Sequence, residues 1–373
     1  MPSAIRATRM RLSPTALSYI GRQYLMSFFG VLLLFVSIVF LLDSIELLRR
    51  STGKDLVTLG LVFKMALLRL PHMSEALMPF AVLFGSMLAF WRLNRSNELV
   101  VIRSFGVSIW QFMLPVLLLT ALIGGFKMTA FNPVAATMWA KFEQIENKYL
   151  RHRKSILAVS RTGLWLRQSD GGGQAVIHAT GVSADGTELS DVIVFFYGDG
   201  DSFMRRADAK SARLYKGYWL LRDTWLTEPK EAPRFVTTYR IATELTLGKI
   251  QESFASPEAI SFWDLPNFIG VLEAAGFSSV RHRLQFYSLL AEPLLFCAMT
   301  LIAAVFSFRH NRRTGGAVAV AGGVGTGFML YFLTDVVSAL GLSSSVPVAL
   351  AAWTPAVAST LLALGMLFYL EDG

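Results

Sequence analysis

Charged side chains are scarce in this sequence of 373 residues. Asp, Glu, Lys and Arg together make up 16% of it, whereas 53% of the residues are hydrophobic. In an ordinary soluble domain about a quarter of the residues are charged. The low charged fraction excludes a wholly soluble chain. It predicts an integral membrane protein with room for one domain outside the membrane.

Cysteine and the common catalytic motifs are nearly or wholly missing. Cys297 is the single cysteine, which excludes an internal disulfide and a multi-cysteine metal site. The five histidines lack HExxH spacing, and neither the phosphate-binding pattern GxxxxGK[ST] nor the nucleophile pattern GxSxG occurs. We therefore expect no catalytic residue, no metal and no cofactor in this chain. A binding or conducting function is the remaining expectation.

Hydrophobic runs with little or no charge are abundant, and six of them are long enough to cross a bilayer with a few flanking residues. Lys64, Arg69 and Pro71 before the second run, and Pro79 within it, indicate a helix that enters at the interface and kinks at a proline. The first run lacks a small-residue cleavage site, so we expect no cleavable signal peptide. The six runs are residues 25–42, 76–91, 105–126, 286–308, 315–340 and 347–370.

The net charge of +9 is concentrated in short segments between these runs. The basic segments are the N-terminus, residues 92–103 and residues 309–313. The positive-inside rule therefore places them and both termini in the cytoplasm, with the large charged insertion outside. We attribute the basic charge to topology and lipid contact, and we expect no nucleic-acid partner. Arg49, Arg50 and Lys54 would then lie outside, against the rule, which suggests a function for them.

Between Lys127 and Arg283 the charges are frequent and the apolar residues come in short groups separated by turn signals. Such short strands predict an antiparallel sandwich or jelly roll, with Trp219 and Trp225 in its core. The fold class is thus six transmembrane helices with an external all-β, jellyroll-like domain between helices 3 and 4. The expected strands are residues 163–166, 175–178, 192–197, 218–226 and 235–241.

The expected domain boundaries follow from this pattern. Helices 1–3 occupy residues 1–130, the β-domain with flanking helices residues 131–283, and helices 4–6 residues 284–373.

The cytoplasmic segment between the second and third runs reads RLNRSNELVVIRSFGVS, residues 92–108. Asn94 or Ser96 can cap the start of a short helix near residues 94–106, and Gly106 suits its end. A helix of about ten residues is too short to span, so it lies along the interface or docks into a partner. Glu98, the acid in this basic loop, is the expected contact point. The alternative is a local pair between Glu98 and Arg95.

Two acids and two glycines in the later runs are also notable. Glu292 and Asp335 lie within apolar runs, where ionisable groups often mark a proton or substrate path. Their position near the outer ends favours the simpler interpretation that water reaches them. Gly323 and Gly327 form a GxxxG pair, which predicts close approach of another helix from this chain or from another subunit.

Several stretches together resemble the lipopolysaccharide-export permease family, LptF and LptG, and the sequence is more similar to the LptG members. The resemblance covers nearly the whole chain. It rests on YIGRQYL at residues 19–25, LPHMSEALMPFAVLFGSMLA at residues 70–89, SNELVVIRSFGVS at residues 96–108 and GLWLR at residues 163–167. TDVV around Asp335 and the spacing of Pro347 and Pro355 also fit.

The resemblance implies one half of a heterodimeric ABC-type permease that moves lipopolysaccharide out of the inner membrane. Its partners would be an LptF-like second permease, an LptB-like cytoplasmic ATPase dimer that hydrolyses ATP, and an LptC- and LptA-like periplasmic bridge. The short helix after the second span would be the coupling helix, placing Glu98, Arg95, Leu99 and Arg103 at the ATPase.

By the same resemblance, Arg49 and Arg50 would bind substrate phosphates at the outer end of the first span. A third basic position of the family falls at Asp43 here, which departs from the pattern.

Three other interpretations remain open at this point. The chain could be the sister LptF-like subunit of the same complex. It could be a proton-coupled secondary transporter that uses Glu292 or Asp335, although no inverted repeat is evident. It could also be a membrane scaffold whose external domain only recruits partners.

Overall fold

The computed structural model describes residues 14–51, 58–96, 98, 101, 104, 108–151, 157–160, 163–170, 173–183, 188–198, 202–229, 231–243, 256–274, 278–308, 316–343 and 345–371. Two compact units are present. One comprises Met1–Glu143 and Leu284–Gly373, and the other comprises Gln144–Arg283.

The first unit is built of helices, and within the described ranges six are long and apolar enough to cross a membrane. Helix α3 continues through a π-helical turn, Lys127–Phe131, into α4 (Asn132–Ile145) and a second π turn, Glu146–Arg151. The six predicted spans are therefore confirmed. They are α1 (Pro14–Ser51), α2 (Leu59–Arg95), α3 (Ile109–Phe126), α6 (Val280–Phe308), α7 (Gly316–Leu342) and α8 (Val348–Glu371).

Helices α1, α2, α3 and α6 share an apolar core that contains Phe28, Phe90, Phe112 and Phe296. A buried hydroxyl network also links them. Thr120 of α3 donates to Tyr24 of α1 at 2.9 Å and lies 3.1 Å from Thr300 of α6, which lies 3.3 Å from Ser86 of α2. These hydroxyl bonds satisfy polar groups that lipid could not.

Glycines set the closest helix approaches in this unit. A Cβ added at Gly124 of α3 would lie 2.6 Å from the Cα of Pro293 in α6. The predicted GxxxG pair packs within the chain, since Gly323 and Gly327 of α7 face Met87 and Leu83 of α2.

The second unit contains a seven-stranded antiparallel sheet whose strands pair in chain order. All five predicted strands are present, and two further strands, β1 and β5, were not predicted. Strand β5 escaped notice because its buried positions are small alanines, Ala207, Ala209 and Ala212, between charged residues. The strands are β1 (Leu157–Ser160), β2 (Gly163–Asp170), β3 (Gly173–Val182), β4 (Glu188–Tyr197), β5 (Phe203–Tyr215), β6 (Tyr218–Thr227) and β7 (Arg234–Ala242).

The regular strand geometry of this sheet is interrupted at Asp191 of β4 and Asp223 of β6, which adopt left-handed φ values of 48° and 52°. In β6, the alternation of buried and exposed residues shifts by one position at Asp223. In β6 the buried residues pass from Trp219 and Leu221 to Thr224, so Trp225 is exposed. The prediction for Trp219 is therefore correct and that for Trp225 is wrong. Strict alternation cannot continue through a left-handed residue.

Because the sheet bends, its second and last strands meet. The Gln168 amide of β2 donates to the Ala242 carbonyl of β7 at 3.1 Å, and it accepts from the Thr243 hydroxyl at 2.7 Å. Leu164 of β2 and Ile241 of β7 lie in one apolar cluster with Trp219. The predicted jellyroll-like domain between the third and fourth spans is thus confirmed. A short 3₁₀ turn (Pro257–Ala259) and helix α5 (Leu265–Ala274) follow the sheet.

Candidate functional site

The two arginines at the C-terminal end of α1 share one carboxylate. Arg49 Nη2 lies 2.8 Å from Glu46 Oε2, and Arg50 Nε lies 2.8 Å from Glu46 Oε1. They stand three and four residues after Glu46, so both reach it along one helix face. The Arg49 side chain remains 78% exposed and that of Arg50 48% exposed. Two guanidinium groups against one carboxylate leave a net positive charge at this helix end.

Asp43, one to two turns deeper on α1, is paired with a basic residue of α2. Its Oδ1 lies 2.6 Å from Nη1 of Arg69, and both side chains are mostly buried. The Arg69 guanidinium also lies 5.9 Å and 5.5 Å from the ring centroids of Trp139 and Phe142. The pair ties α1 to α2 below Arg49 and Arg50, and Asp43 is not an open anion-binding position.

The segment between α2 and α3 begins differently from the prediction. Asn94 lies inside α2, and the backbone N–H of Ser96 closes that helix onto the Arg92 carbonyl. Asn94 is therefore not an N-cap, because α2 continues one turn beyond its apolar run. Most of the turn that Ser96 would cap lies outside the described residues. Ser108 caps the start of α3, where its hydroxyl accepts from the Gln111 N–H at 3.3 Å.

Glu98 contacts the first helix. Its Oε1 accepts a hydrogen bond from the Tyr19 hydroxyl of α1 at 3.3 Å. The Arg95 guanidinium instead lies 5.1 Å from the Trp91 ring centroid, and within the described part of the chain no ion pair joins Arg95 to Glu98. Glu98, Val101 and Ser104 are helical. Leu99, Arg103 and Gly106 lie outside the described residues.

A buried polar cluster was not recognised from the sequence, although Glu292 was. Lys127, after α3, forms an ion pair with Glu292 of α6. The Asn132 amide at the start of α4 donates to Glu75 Oε1 of α2 at 3.2 Å. Only 3% of Lys127, 2% of Asn132 and 9% of Glu75 is exposed. Glu292 has a protein partner in Lys127, and its side chain is 20% exposed.

Asp335 is separate from this cluster. It lies on an exposed part of α7, and no ion pair to it is found among the described residues. The structure therefore does not join Asp335 and Glu292 into one path.

Comparison with known proteins agrees with the resemblance noted above. Residues 18–369 match the model of the family described as lipopolysaccharide export system permease LptF/LptG. The lipopolysaccharide export system permease protein LptG of Escherichia coli strain K12 is 25% identical over 364 residues, 94% of this chain and 96% of the relative. The protein of the same name from Haemophilus influenzae is 23% identical over 353 residues, covering 91% and 94%.

The family prediction is therefore confirmed over almost the whole chain. The protein belongs to the lipopolysaccharide export system permease LptF/LptG family, as a multi-pass inner-membrane transport protein that works with other components of that export system.

Proposed function

We propose that this chain is the LptG-type permease subunit of an ABC-type complex that extracts lipopolysaccharide from the inner membrane. The observation that carries the proposal is the family match over residues 18–369, together with relatives that are named LptG. The complex would pass the lipid to a periplasmic bridge toward the outer membrane. Both termini are cytoplasmic in this proposal, and the β-domain is periplasmic.

The proposed partners are those that the family resemblance implies. An LptF-like permease completes the heterodimer, and LptC- and LptA-like proteins continue the bridge from the β-domain. Extraction exposes a large apolar surface of the lipid to water, at about 25 cal/mol per Å². Because the sequence has no phosphate-binding loop of its own, an LptB-like ATPase dimer supplies that energy from the cytoplasm.

Helix α1 offers a physical connection between the two proposed sites. It has 38 residues, which corresponds to a length of about 57 Å at 1.5 Å per residue. Tyr19, near its cytoplasmic start, contacts Glu98, and Arg49 and Arg50 lie near its outer end. We infer that helix α1 transmits movement of the proposed coupling helix, which contains Glu98, to the proposed phosphate-binding site at Arg49 and Arg50.

Substitution of Glu98 by Lys tests the proposed coupling. In a basic segment this carboxylate is the expected partner for a positive group of the ATPase, and reversal of a desolvated charge pair costs several kcal/mol. We expect Glu98→Lys to reduce co-purification of the ATPase, or its lipid-stimulated ATP hydrolysis, by on the order of tenfold or more. Membrane insertion is expected to be unchanged.

The matched control is Glu231→Lys, which reverses an exposed carboxylate in the β-domain. It should leave both measurements at the parent level. A Glu98→Lys complex with normal subunit content and normal lipid-stimulated hydrolysis would reject the coupling role of Glu98.

A further inference from the structure

The polar cluster of Glu75, Lys127, Asn132 and Glu292 is not explained by the proposed lipid path or by ATPase coupling. Its members come from α2, the π turn after α3, the start of α4 and α6. Ionisable groups inside a membrane bundle are costly to bury unless they are paired. A cluster that keeps three of them must therefore balance its charge.

The π turn Lys127–Phe131 is what assembles the cluster. In a regular α-helix, residues five positions apart point about 140° away from each other. A π turn holds one more residue than an α-helical turn, so it brings such residues toward the same side. Lys127 and Asn132 are five positions apart, and both are almost fully buried in the bundle. Lys127 can thus meet Glu292 while Asn132 meets Glu75.

The charges of the cluster do not cancel if every group is ionised. Glu75 and Glu292 would contribute two negative charges and Lys127 one positive charge. Arg69 does not supply the missing positive charge, because its guanidinium is paired with Asp43. His72, one turn before Glu75 on α2, has its ring centroid 4.2 Å from that of Trp139 at an interplanar angle of 35°, and it is taken as neutral here. One negative charge remains uncompensated in a low-dielectric interior.

The hydrogen bonds indicate which carboxyl group is neutral. Glu292 holds the lysine ammonium, which stabilises its ionised form. Glu75 receives an uncharged amide N–H from Asn132, which the carbonyl oxygen of a carboxylic acid accepts equally well. A buried oxygen of Glu292, Oε2, finds no donor among the described residues.

We propose that this cluster is an intramembrane binding site for a single proton, which resides on Glu75, while Lys127 and Glu292 form a permanent ion pair. Binding converts the Glu75 carboxylate and one proton into a neutral carboxylic acid, and no other group changes. The occupied site is electrically neutral, so it can hold α2, α3 and α6 together without an unbalanced charge.

Infrared spectroscopy of the full-length chain in its purified complex tests this assignment. The carbonyl stretch of a protonated carboxyl group is distinct from that of a carboxylate. We expect such a band at neutral pH in the parent protein and in the control Glu231→Gln, and its loss in Glu75→Gln. A band that persists in Glu75→Gln, or the absence of any such band in the parent, would overturn the proposal.

Thermal unfolding of the same variants provides a second measurement. Gln copies a neutral Glu in shape and acceptor groups, so Glu75→Gln should leave the unfolding temperature unchanged. Glu292→Gln removes the carboxylate that directly contacts the buried Lys127 ammonium, so a fall of several degrees is expected. The double variant Lys127→Met/Glu292→Gln should recover most of that fall. Equal falls for the two single Gln variants would contradict an unequal distribution of charge.

Discussion

At the scale of single side chains, Arg49 and Arg50 can exchange their shared carboxylate partner, Glu46, for another anion. Both guanidinium groups share Glu46 at an exposed helix end, where solvent screening leaves ion pairs with little effect on stability. An anionic phosphate can therefore replace Glu46, and the planar fork of arginine suits its oxygens. We expect Arg49→Ala and Arg50→Ala each to weaken photocrosslinking of lipopolysaccharide to α1, and the double variant to weaken it further.

Glu46→Gln distinguishes phosphate binding from simple anchoring of the helix end. Removal of the competing carboxylate should maintain or increase crosslinking, with ATPase assembly intact. If the single and double arginine variants crosslink and transport like the parent, the arginines only pair with Glu46.

The Tyr19 hydroxyl is the second residue-scale test. It donates to Glu98 between exposed groups, so its removal costs less than about 1 kcal/mol in stability. If α1 transmits the coupling movement, Tyr19→Phe should reduce lipid-stimulated ATP hydrolysis less than Glu98→Lys does. Its effect should not add to that of Glu98→Gln, because the two residues share one contact. Tyr369→Phe, at an 80% exposed tyrosine on α8, is the control and should be neutral.

At the scale of elements, two adjacent glycines of α3 allow the effect of helix packing on stability to be distinguished from the effect of helix propensity. A Cβ at Gly124 would enter the backbone of Pro293 on α6, whereas a Cβ at Gly125 meets nothing within 4 Å. We expect Gly124→Ala to destabilise the helix bundle by about 1–3 kcal/mol through overpacking. Gly125→Ala should be neutral or stabilising by up to about 1 kcal/mol. Unfolding in a mild detergent measures both, and equal stabilities would show that α3 and α6 can separate at no cost.

At the scale of the whole molecule, the distribution of arginine predicts which side each segment faces. A cysteine replacing Glu231, on the exposed surface of the β-domain, should react with an impermeant thiol reagent added to the periplasmic side. A cysteine replacing Asn311, between the fourth and fifth spans, should react only after the membrane is opened. The Cys297→Ala background removes the natural thiol. The opposite labelling pattern would reverse the proposed topology.

The sequence by itself determined the six spans and the site of the β-insertion. A bilayer demands about twenty apolar residues for each crossing, and that demand is local in the chain. Five strands were also predictable, because alternation and turn residues are local signals. Strand β5 was not, since alanine provides little apolar contrast, and Trp225 was misplaced because a left-handed Asp223 changes the buried face.

Only the tertiary structure decided how distant polar groups are paired. Arg69 meets Asp43 across 26 positions, Tyr19 meets Glu98 across 79, and Lys127 meets Glu292 across 165. No periodicity relates such positions. Each pairing depends on the rotation of two helices about their axes. The pairing of Lys127 also depends on a π turn that the residue pattern does not predict. Hydrophobic length selects the helices, and side-chain packing between helices selects which of their polar residues meet.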